Sequence, residues 1–304
     1  MRRSAIIGVL LLYASSLWSQ QQSSGPIQLP SGQTLEANPG RIAPLNSSPF
    51  SIALSPDGHY AALLHAGFGT QKSGGCQSIS IFNFSTNQLA DFPDDRLCGD
   101  AHQSYFVGIT FSADSNRIYA SIGSITDPTG EKKGNLGNAV AVYQVHEGKI
   151  VPERIIKIPP TKLAEGKWVA KGLFQTPQGT AIPYPAGLAV VPGNPERLLI
   201  ANNFSDTAIL IDASPGDLIN GSADPIHQFD LSTNTFIPSA YPYTVVVSKD
   251  GRRGWCSLWN ASRVVELNLE SGRVARTIPL KAPDSPTAAG SHPTAPPARR
   301  NTSP

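Results

Sequence analysis

Apolar and polar positions along the chain follow one plan four times between residues 50 and 280. Each copy begins with an apolar run, passes through a tight polar turn, and continues into a second and a third apolar run. The turns are rich in Pro, Asp, Asn and Gly, which favour hairpins. Pro presets φ, Asp and Asn hydrogen-bond to their own backbone, and Gly accepts a positive φ. The first runs with their turns lie at residues 50–58, 106–115, 186–194 and 243–251.

The later runs predict further strands in each copy. Second strands are expected at residues 59–64, 117–122, 197–201 and 254–258, and third strands at 78–82, 139–143, 208–211 and 263–267. Outer strands are less distinct, as at 149–158 and 273–280, and residues 161–174 are the weakest β region, compatible with one helical turn. Four short strands per unit are typical of propeller blades. The predicted fold class is therefore all-β, a β-propeller with four-stranded blades, about four of them present and the ring incomplete.

One copy carries a specific motif, the run Leu-Ile-Ala-Asn-Asn-Phe-Ser-Asp-Thr-Ala-Ile-Leu-Ile-Asp at residues 199–212. It resembles the YVTN-type β-propeller repeat, in which a Tyr-Val-Thr-Asn-like strand leads to Ser-Asp-Thr-Val-Ser-Val-Ile-Asp. The chain also resembles the N-terminal propeller of bacterial exported proteins that continue into a phosphoesterase domain. This resemblance rests on the order of four segments along the chain, the opening run at 29–34 and the runs at 107–112, 186–190 and 241–243. The resemblance covers roughly residues 29–295 and implies a fold more strongly than a function.

The C-terminal residues depart from that family. Residues 291–295 look like the start of a fifth blade, but Pro296 and Pro297 follow where a central strand is expected. Family members typically have seven blades, so we expect a truncated or frameshifted product; a genuine short protein with a disordered tail is the alternative. An open ring predicts self-association through apolar blade edges. The residues expected to be exposed there are Ile52, Leu54, Val245, Val247 and Leu258.

The N-terminus has the pattern of a secretory signal peptide. Arg2 and Arg3 precede an apolar run at residues 5–13, which is shorter than the roughly 20 residues that a membrane span needs. An uncleaved anchor is the alternative reading. The predicted organisation is a signal peptide at 1–20, an extended segment at 21–48, propeller blades at 49–295 and a disordered tail at 296–304. The predicted location is secreted or periplasmic, with no membrane span after cleavage.

The net charge and the cysteines indicate which partners and which metal sites the sequence does not predict. A net charge of +2 does not predict nucleic acid as a partner. The three cysteines, Cys76, Cys98 and Cys256, fit no zinc motif in their spacing. Cys76 and Cys98 fall in neighbouring loops on one face of the predicted propeller, which makes them a candidate disulfide; two free, buried thiols are the alternative.

That same face carries the longest predicted loops, where binding residues usually lie. The candidate ligand-binding residues are Asp94, Arg96, His102, Lys132, Lys167 and Trp168. A basic side chain beside Trp suits an anionic or sugar-like ligand, and a solvated loop surface is the alternative reading of each cluster.

No catalytic motif, metal-ligand set or cofactor motif is evident in the sequence. We therefore expect a binding or scaffold module for an unidentified ligand or protein. The alternative is a metal-dependent propeller lactonase or hydrolase. Asn202 and Asn203 lie at strand ends as such a site would require, without a matching acidic set.

Overall fold

A computed structural model of the protein describes residues 27–28, 34–35, 45, 47–65, 75–98, 102–169, 176–213 and 225–280. The chain divides into two compact units, Met1–Pro44 and Leu45–Pro304. In the first unit, β1 (Ile27–Gln28) pairs antiparallel with β2 (Thr34–Leu35). The predicted signal peptide at 1–20 and the predicted tail at 296–304 lie outside the described residues.

The described residues of the second unit form four antiparallel sheets of four strands, each made of strands in the order of the sequence. Blade 1 comprises β3 (Ser51–Leu54), β4 (Tyr60–His65), β5 (Ser78–Asn83) and β6 (Gln88–Pro93). Blade 2 comprises β7 (Ser104–Phe111), β8 (Arg117–Gly123), β9 (Ala139–His146) and β10 (Lys149–Lys157). Three short strands follow, β11 (Thr161–Lys162), β12 (Trp168–Val169) and β13 (Thr180–Ala181).

Blade 3 comprises β14 (Pro185–Val191), β15 (Arg197–Asn202), β16 (Thr207–Asp212) and β17 (His227–Asp230). After β18 (Phe236–Ile237), blade 4 comprises β19 (Pro242–Val247), β20 (Arg253–Leu258), β21 (Arg263–Asn268) and β22 (Arg273–Pro279). The all-β prediction is confirmed. Of the weak β region at 161–174, residues 161–169 contain β11 and β12 and no helix, and 170–174 lie outside the described residues.

A Ser-x-Asp sequence closes the turn between the first and second strands of three blades. The Ser hydroxyl donates to the Asp carboxylate at 2.5 Å, and the same carboxylate accepts a backbone N–H two residues further on. The Ser hydrogen bond holds the pKa of each Asp below its usual value. The pairs are Ser55–Asp57, Ser112–Asp114 and Ser248–Asp250. This local network explains why the turns were predictable from sequence.

The hydrophobic core lies between the blades rather than at one centre. One buried cluster joins blades 1 and 2, a second joins blades 2 and 3, and a third joins blades 3 and 4. In β8, for example, Ile118 faces blade 1, whereas its neighbour Tyr119 faces blade 3. Full burial of one aliphatic side chain in these clusters stabilises the folded state by roughly 1.5–3 kcal/mol. The first strand of each blade lies beside the first strand of the next, so these innermost strands run side by side.

The residues exposed at the two end blades differ in part from the prediction. Ile52 and Leu54 in β3 are exposed, at 64% and 66% of their surface. Val245 and Leu258 are instead buried against blade 3, and Val247 is half-buried there. Because side chains alternate along a strand, it is Val246 that points away from blade 3, at 55% exposure. In the described residues no helix has the length and apolar character of a membrane span.

Candidate functional site

Asp94 and Arg96, two of the predicted ligand-binding residues, bind each other. Two of the three guanidinium nitrogens of Arg96 donate to the Asp94 carboxylate, Nε at 2.8 Å and an Nη at 2.6 Å. The Tyr143 hydroxyl also donates to this carboxylate at 2.5 Å, and Tyr105 hydrogen-bonds to Tyr143. Asp94 is only 3% exposed. The group therefore links blade 1 to blade 2 from below the surface.

The electrostatics of this group follow from burial and pairing. Burial by itself raises the pKa of the Asp94 carboxyl, but the hydrogen bonds from Arg96 and Tyr143 outweigh it and hold the pKa below its usual value. Burial also raises the pKa of both phenols, Tyr105 and Tyr143, so they stay protonated and able to donate.

The two cysteines of neighbouring loops form a disulfide in the structure. Cys76 and Cys98 are joined through their sulfur atoms, with Cα atoms 3.7 Å apart. The bond fixes the segment after β6 to the segment before β5. Cys256 is free and fully buried in β20, and burial raises the pKa of its thiol to about 12.

His102 and Lys132 are exposed, in segments on the predicted binding face of the propeller. Lys132 lies in the loop between β8 and β9, where its backbone N–H donates to the Asp127 carboxylate at 3.0 Å. Gln103, next to His102, donates from its side-chain amide to the Arg96 carbonyl at 3.1 Å. The segment that carries His102 is thus attached to the Asp94–Arg96 pair.

Lys167 and Trp168 occupy a separate place, beside the short parallel pair of β12 and β18. Lys167 Nζ donates to the Asn234 carbonyl at 2.8 Å, and the Trp168 ring contacts the Phe236 ring edge-on at 4.9 Å. Trp168 remains 54% exposed.

Sequence reasoning missed an aromatic cluster at the inner ends of blades 2, 3 and 4. Consecutive rings in it have centroids 4.6–6.4 Å apart. Its members are Phe106, Tyr184, Phe204, Tyr241, Tyr243 and Trp259. Trp259 is 75% exposed and the others are half-buried. The cluster lies on the predicted binding face, at the starts of the innermost strands of blades 2, 3 and 4 and in the turns after the second strands of blades 3 and 4. We refer to it as the aromatic cluster.

The repeat places the aromatic residues by the same backbone device in blades 3 and 4. Tyr184 and Tyr241 each stand before a proline that opens the innermost strand, and each has a positive φ. The turn after the second strand bonds back to this tyrosine: Asn203 N–H donates to the Tyr184 carbonyl, and Trp259 N–H to the Tyr241 carbonyl, both at 3.0 Å. The recurring Tyr-Pro pairs are the signal in the sequence that could have located the cluster.

Asp206 holds the blade 4 side of the cluster in place. This fully buried carboxylate accepts four hydrogen bonds, from the backbone N–H groups of Ser239, Ala240 and Tyr241 and from the Ser239 hydroxyl, at 2.6–3.0 Å. Asp206 belongs to the Ser-Asp-Thr part of the repeat motif. The motif residue therefore shapes the segment that leads into the next blade.

Polar groups accompany the rings at the blade 2 end. Burial raises the pKa of the Tyr184 phenol above its usual value, and the Ser104 side chain acts in the opposite direction. The Tyr184 ring lies against Gly123, where an added Cβ would come within 2.6 Å of the ring. Gly123 pairs with Ser104, and His102 lies two residues before Ser104, exposed. His102 and Ser104 thus lie in one short segment, which pairs with the glycine that the Tyr184 ring contacts.

The described residues do not fit a divalent metal at this site. The carboxylates of Asp206 and Asp94 are taken up by their hydrogen bonds. The one described group with three metal-type side chains is Cys76, Asp95 and Cys98, whose two sulfurs are already bonded to each other. The strand-end amides brace the protein: Asn202 Nδ2 donates to Thr207 Oγ1 at 3.4 Å, and Asn203 Nδ2 to the Pro242 carbonyl at 3.0 Å.

Comparison with known proteins places the fold. No protein-family model matches the chain, and no curated protein sequence matches it significantly. The periplasmic gluconolactonase of Pseudomonas aeruginosa matches with a TM-score of 0.53 at 15% identity, over 83% of this chain and 62% of its own. A protein from Lactobacillus plantarum matches with a TM-score of 0.53 at 11% identity, over 88% of this chain and 66% of its own. The chain thus spans about two thirds of the length of these structures.

These matches confirm the propeller architecture with four-stranded blades. They also correct the functional interpretation. The hypothesis of a binding or scaffold module without a catalytic site is wrong on this comparison, because a solved structure with the shared fold is an enzyme, a gluconolactonase. A propeller repeat is equally compatible with catalysis, so the repeat was no argument for a scaffold.

Proposed function

We propose that this protein is an exported hydrolase of the propeller-lactonase type, with a sugar-derived lactone as its substrate class. The observation that carries the proposal is the aromatic cluster, with the exposed Trp259 ring at one end and the Tyr184 phenol at the other. Likeness in fold to a periplasmic gluconolactonase supports the same class. In this proposal the propeller is a relative of the YVTN type, and the predicted leader directs export.

The cluster suits a compact ring that is apolar on its faces and polar at its edge. Aromatic side chains offer large, rigid contact area, and Tyr and Trp add a polar atom to it. The Tyr184 hydroxyl carries a hydrogen that it can donate to a ligand oxygen. Because burial keeps this phenol protonated, it can donate to a carbonyl oxygen on which negative charge develops.

Lactone hydrolysis needs one addition and one bond cleavage. The oxygen of water bonds to the carbonyl carbon, the ring C–O bond breaks, and the products are a carboxylic acid and an alcohol on one molecule. A base must take a proton from the water, and a proton must reach the alkoxide that leaves. We assign this transfer to His102, the exposed histidine that precedes Ser104 on this face. No step is assigned to a metal, because the described side chains do not provide a ligand set.

The test is hydrolysis of glucono-1,5-lactone and a panel of related lactones by the purified protein, followed as acid release. We expect hydrolysis that persists in excess chelator and falls at least about 100-fold in His102→Gln, as is typical for loss of a general base. His146→Gln is the matched control, because His146 is also exposed but lies at the opposite end of its blade. Absence of hydrolysis across the panel would contradict the proposed class. Loss of hydrolysis with chelator, or equal effects of the two substitutions, would contradict the assignment to His102.

A further inference from the structure

The second strand of blade 2 ends in a glycine that leaves room for the Tyr184 ring. Gly123, the last residue of β8, is buried, and a Cβ built on it would lie 2.6 Å from both Cε2 and Cζ of Tyr184. Carbon atoms in contact are normally about 3.5–4.0 Å apart. Because Cζ carries the phenol hydroxyl, the absence of a side chain at Gly123 is what allows the phenol to occupy its place.

Other contacts hold the ring and the backbone of Tyr184. Phe204 stacks on the ring with the centroids 4.6 Å apart and 24° between the planes, and Phe106 meets it edge-on at 5.1 Å. The backbone of Tyr184 has a φ of 51°, precedes Pro185 and accepts a hydrogen bond from the Asn203 N–H. A side chain in place of the glycine would therefore displace the phenol end of the ring, and not the backbone that carries it.

The backbone conformation of Gly123 does not itself require glycine. This residue continues the extended strand without a positive φ and pairs with Ser104. Alanine is compatible with such a backbone. What the position excludes is the volume of a side chain, so a substitution here acts on the Tyr184 ring and does not strain the strand.

The next residue is attached to the segment that carries His102. Ser124 is 2% exposed, and its Oγ donates to the His102 carbonyl at 2.9 Å. Two consecutive residues at the end of β8 thus contact both groups to which we assign a role in hydrolysis. Gly123 lies against the phenol of Tyr184, and Ser124 binds the backbone of the histidine.

A buried amide holds the end of β8 in place. The regular pairing of β8 with β9 ends at Ile122 and Ala139. Beyond that point Asn138, which is 1% exposed, binds both backbone groups of Ser124: its Oδ1 accepts the Ser124 N–H at 2.9 Å, and its Nδ2 donates to the Ser124 carbonyl at 3.1 Å. The amide therefore replaces a strand partner and satisfies buried backbone groups that would otherwise be unpaired.

We propose that Gly123 and Ser124 are positioning residues of the lactonase site, Gly123 for the Tyr184 phenol and Ser124 for His102. The inference rests on the proposed function, because that proposal assigns the phenol to the carbonyl oxygen and the histidine to proton transfer. Both groups have to act on one lactone carbonyl, so their separation matters for the rate. Two adjacent residues of one clamped strand end set this separation.

Gly123→Ala tests the placement of the phenol. We expect kcat for lactone hydrolysis to fall at least about 10-fold while KM changes less than about 3-fold, because the phenol stabilises charge that develops only during the reaction. In a Tyr184→Phe background the same substitution should lower kcat no further, since the hydroxyl is already absent. An equal loss in both backgrounds would overturn the role of Gly123.

Gly254→Ala is the matched control for the crowding. A Cβ there would also come within 2.6 Å of a side chain, that of Leu199, but Gly254 lies at the opposite end of β20 from Trp259. This variant is expected to lower the Tm and to keep the kcat of the wild type. A loss of kcat in Gly254→Ala as large as that in Gly123→Ala would show that crowding in any blade is enough, and would overturn the proposal.

Ser124→Ala tests the attachment of His102. We expect kcat to fall about 5-fold or more in the wild-type background and to stay unchanged in a His102→Gln background, because the residue acts through the histidine. Ser121→Ala is the control, since it removes another buried hydroxyl of β8, which bonds to the Gly108 N–H at 2.9 Å, and it should keep the wild-type kcat. A further loss caused by Ser124→Ala in the His102→Gln background would overturn the role of Ser124.

Nuclear magnetic resonance of protein labelled with ¹³Cζ-tyrosine observes the phenol without any activity. The Tyr184 resonance is identified by its absence in Tyr184→Phe. It should shift in Gly123→Ala and keep its position in Gly254→Ala, and an unshifted resonance in Gly123→Ala would overturn the role of Gly123. If the wild type hydrolyses no lactone, the proposed function fails, whereas this resonance still decides whether Gly123 positions the phenol.

Discussion

Tyr184 and Tyr241 have the same left-handed backbone conformation, with φ of 51° and 52°, at the same place in consecutive blades. A bulky residue in this region costs on the order of 1–3 kcal/mol and persists only where the surroundings impose it. Here the surroundings are the proline that follows, the backbone bond from the opposite turn and, at Tyr241, the Asp206 carboxylate. The conformation directs both rings into the aromatic cluster, which is why we place the function there.

Removal of the exposed ring of the aromatic cluster should weaken ligand binding. We expect Trp259→Ala to raise the Kd for a lactone analogue about 10-fold, since an aromatic contact contributes roughly 0.5–1.5 kcal/mol beyond its area. Isothermal titration calorimetry measures the change. Trp168→Ala removes a ring of similar exposure outside the cluster and should leave the Kd unchanged. A larger increase in Kd for Trp168→Ala than for Trp259→Ala would indicate that the ligand binds beside the β12–β18 pair instead.

Asp206→Ala should destabilise the protein and disorder the approach to blade 4. The substitution leaves three backbone N–H groups and one hydroxyl without their acceptor in a buried place. Loss of buried partners costs about 1–3 kcal/mol per group at most, so we expect a loss of roughly 3 kcal/mol in urea unfolding. Asp250→Ala, at an exposed turn, is the control and should change the midpoint little. Equal midpoints for the two variants would contradict the role of Asp206.

Asp94 should make the stability of the protein depend on acid pH. Its folded-state pKa is depressed, so its contribution is complete above its unfolded pKa, near 3.9, and is lost as pH falls through the folded value. We expect Asp94→Asn to cost about 3 kcal/mol at pH 7, since it removes one partner of a buried ion pair, and less below pH 3. Unfolding curves between pH 7 and pH 2 measure both. Asp95→Asn, one residue away and exposed, should show no such convergence with the wild type.

The number of cysteines that react with iodoacetamide at pH 8 should differ between three conditions, and mass spectrometry counts the labels. The folded protein should take no label, because Cys76 and Cys98 are bonded and Cys256 is buried with a raised pKa. Unfolding without reductant should add one label, and unfolding with reductant should add three. Two or more labels in the unreduced, unfolded protein would show that the disulfide is absent. The closed loop should stabilise the fold by about 3 kcal/mol relative to the reduced protein.

The leader should be removed during export. The arginine pair and the short apolar run predict cleavage between Ala14 and Gln22. N-terminal sequencing of the protein isolated from its native host identifies the first residue. Full-length protein with Met1 in the cytoplasmic fraction would contradict both the leader and the predicted location.

Local sequence alone was enough to predict the blades, their turns and most strands. A Ser-x-Asp turn is closed by atoms two residues apart, and the apolar alternation of a strand is read within six residues, so neither depends on the rest of the chain. The loops that carry Cys76, Asp94 and His102 could be placed on one face for the same reason, because the strand order decides at which end each loop emerges.

Tertiary structure decided which of these residues bind each other and which remain available. The sequence cannot distinguish Asp94 and Arg96 from a ligand-binding pair. In the folded protein, Tyr143 of the next blade donates a hydrogen bond to Asp94, and the pair is used within the protein. The aromatic cluster is built from residues 106 to 259, and its members become neighbours only when three blades pack. Whether Val245 or Val246 is exposed depends on a bulge at the start of β19, since a shift of one residue turns every side chain to the other face.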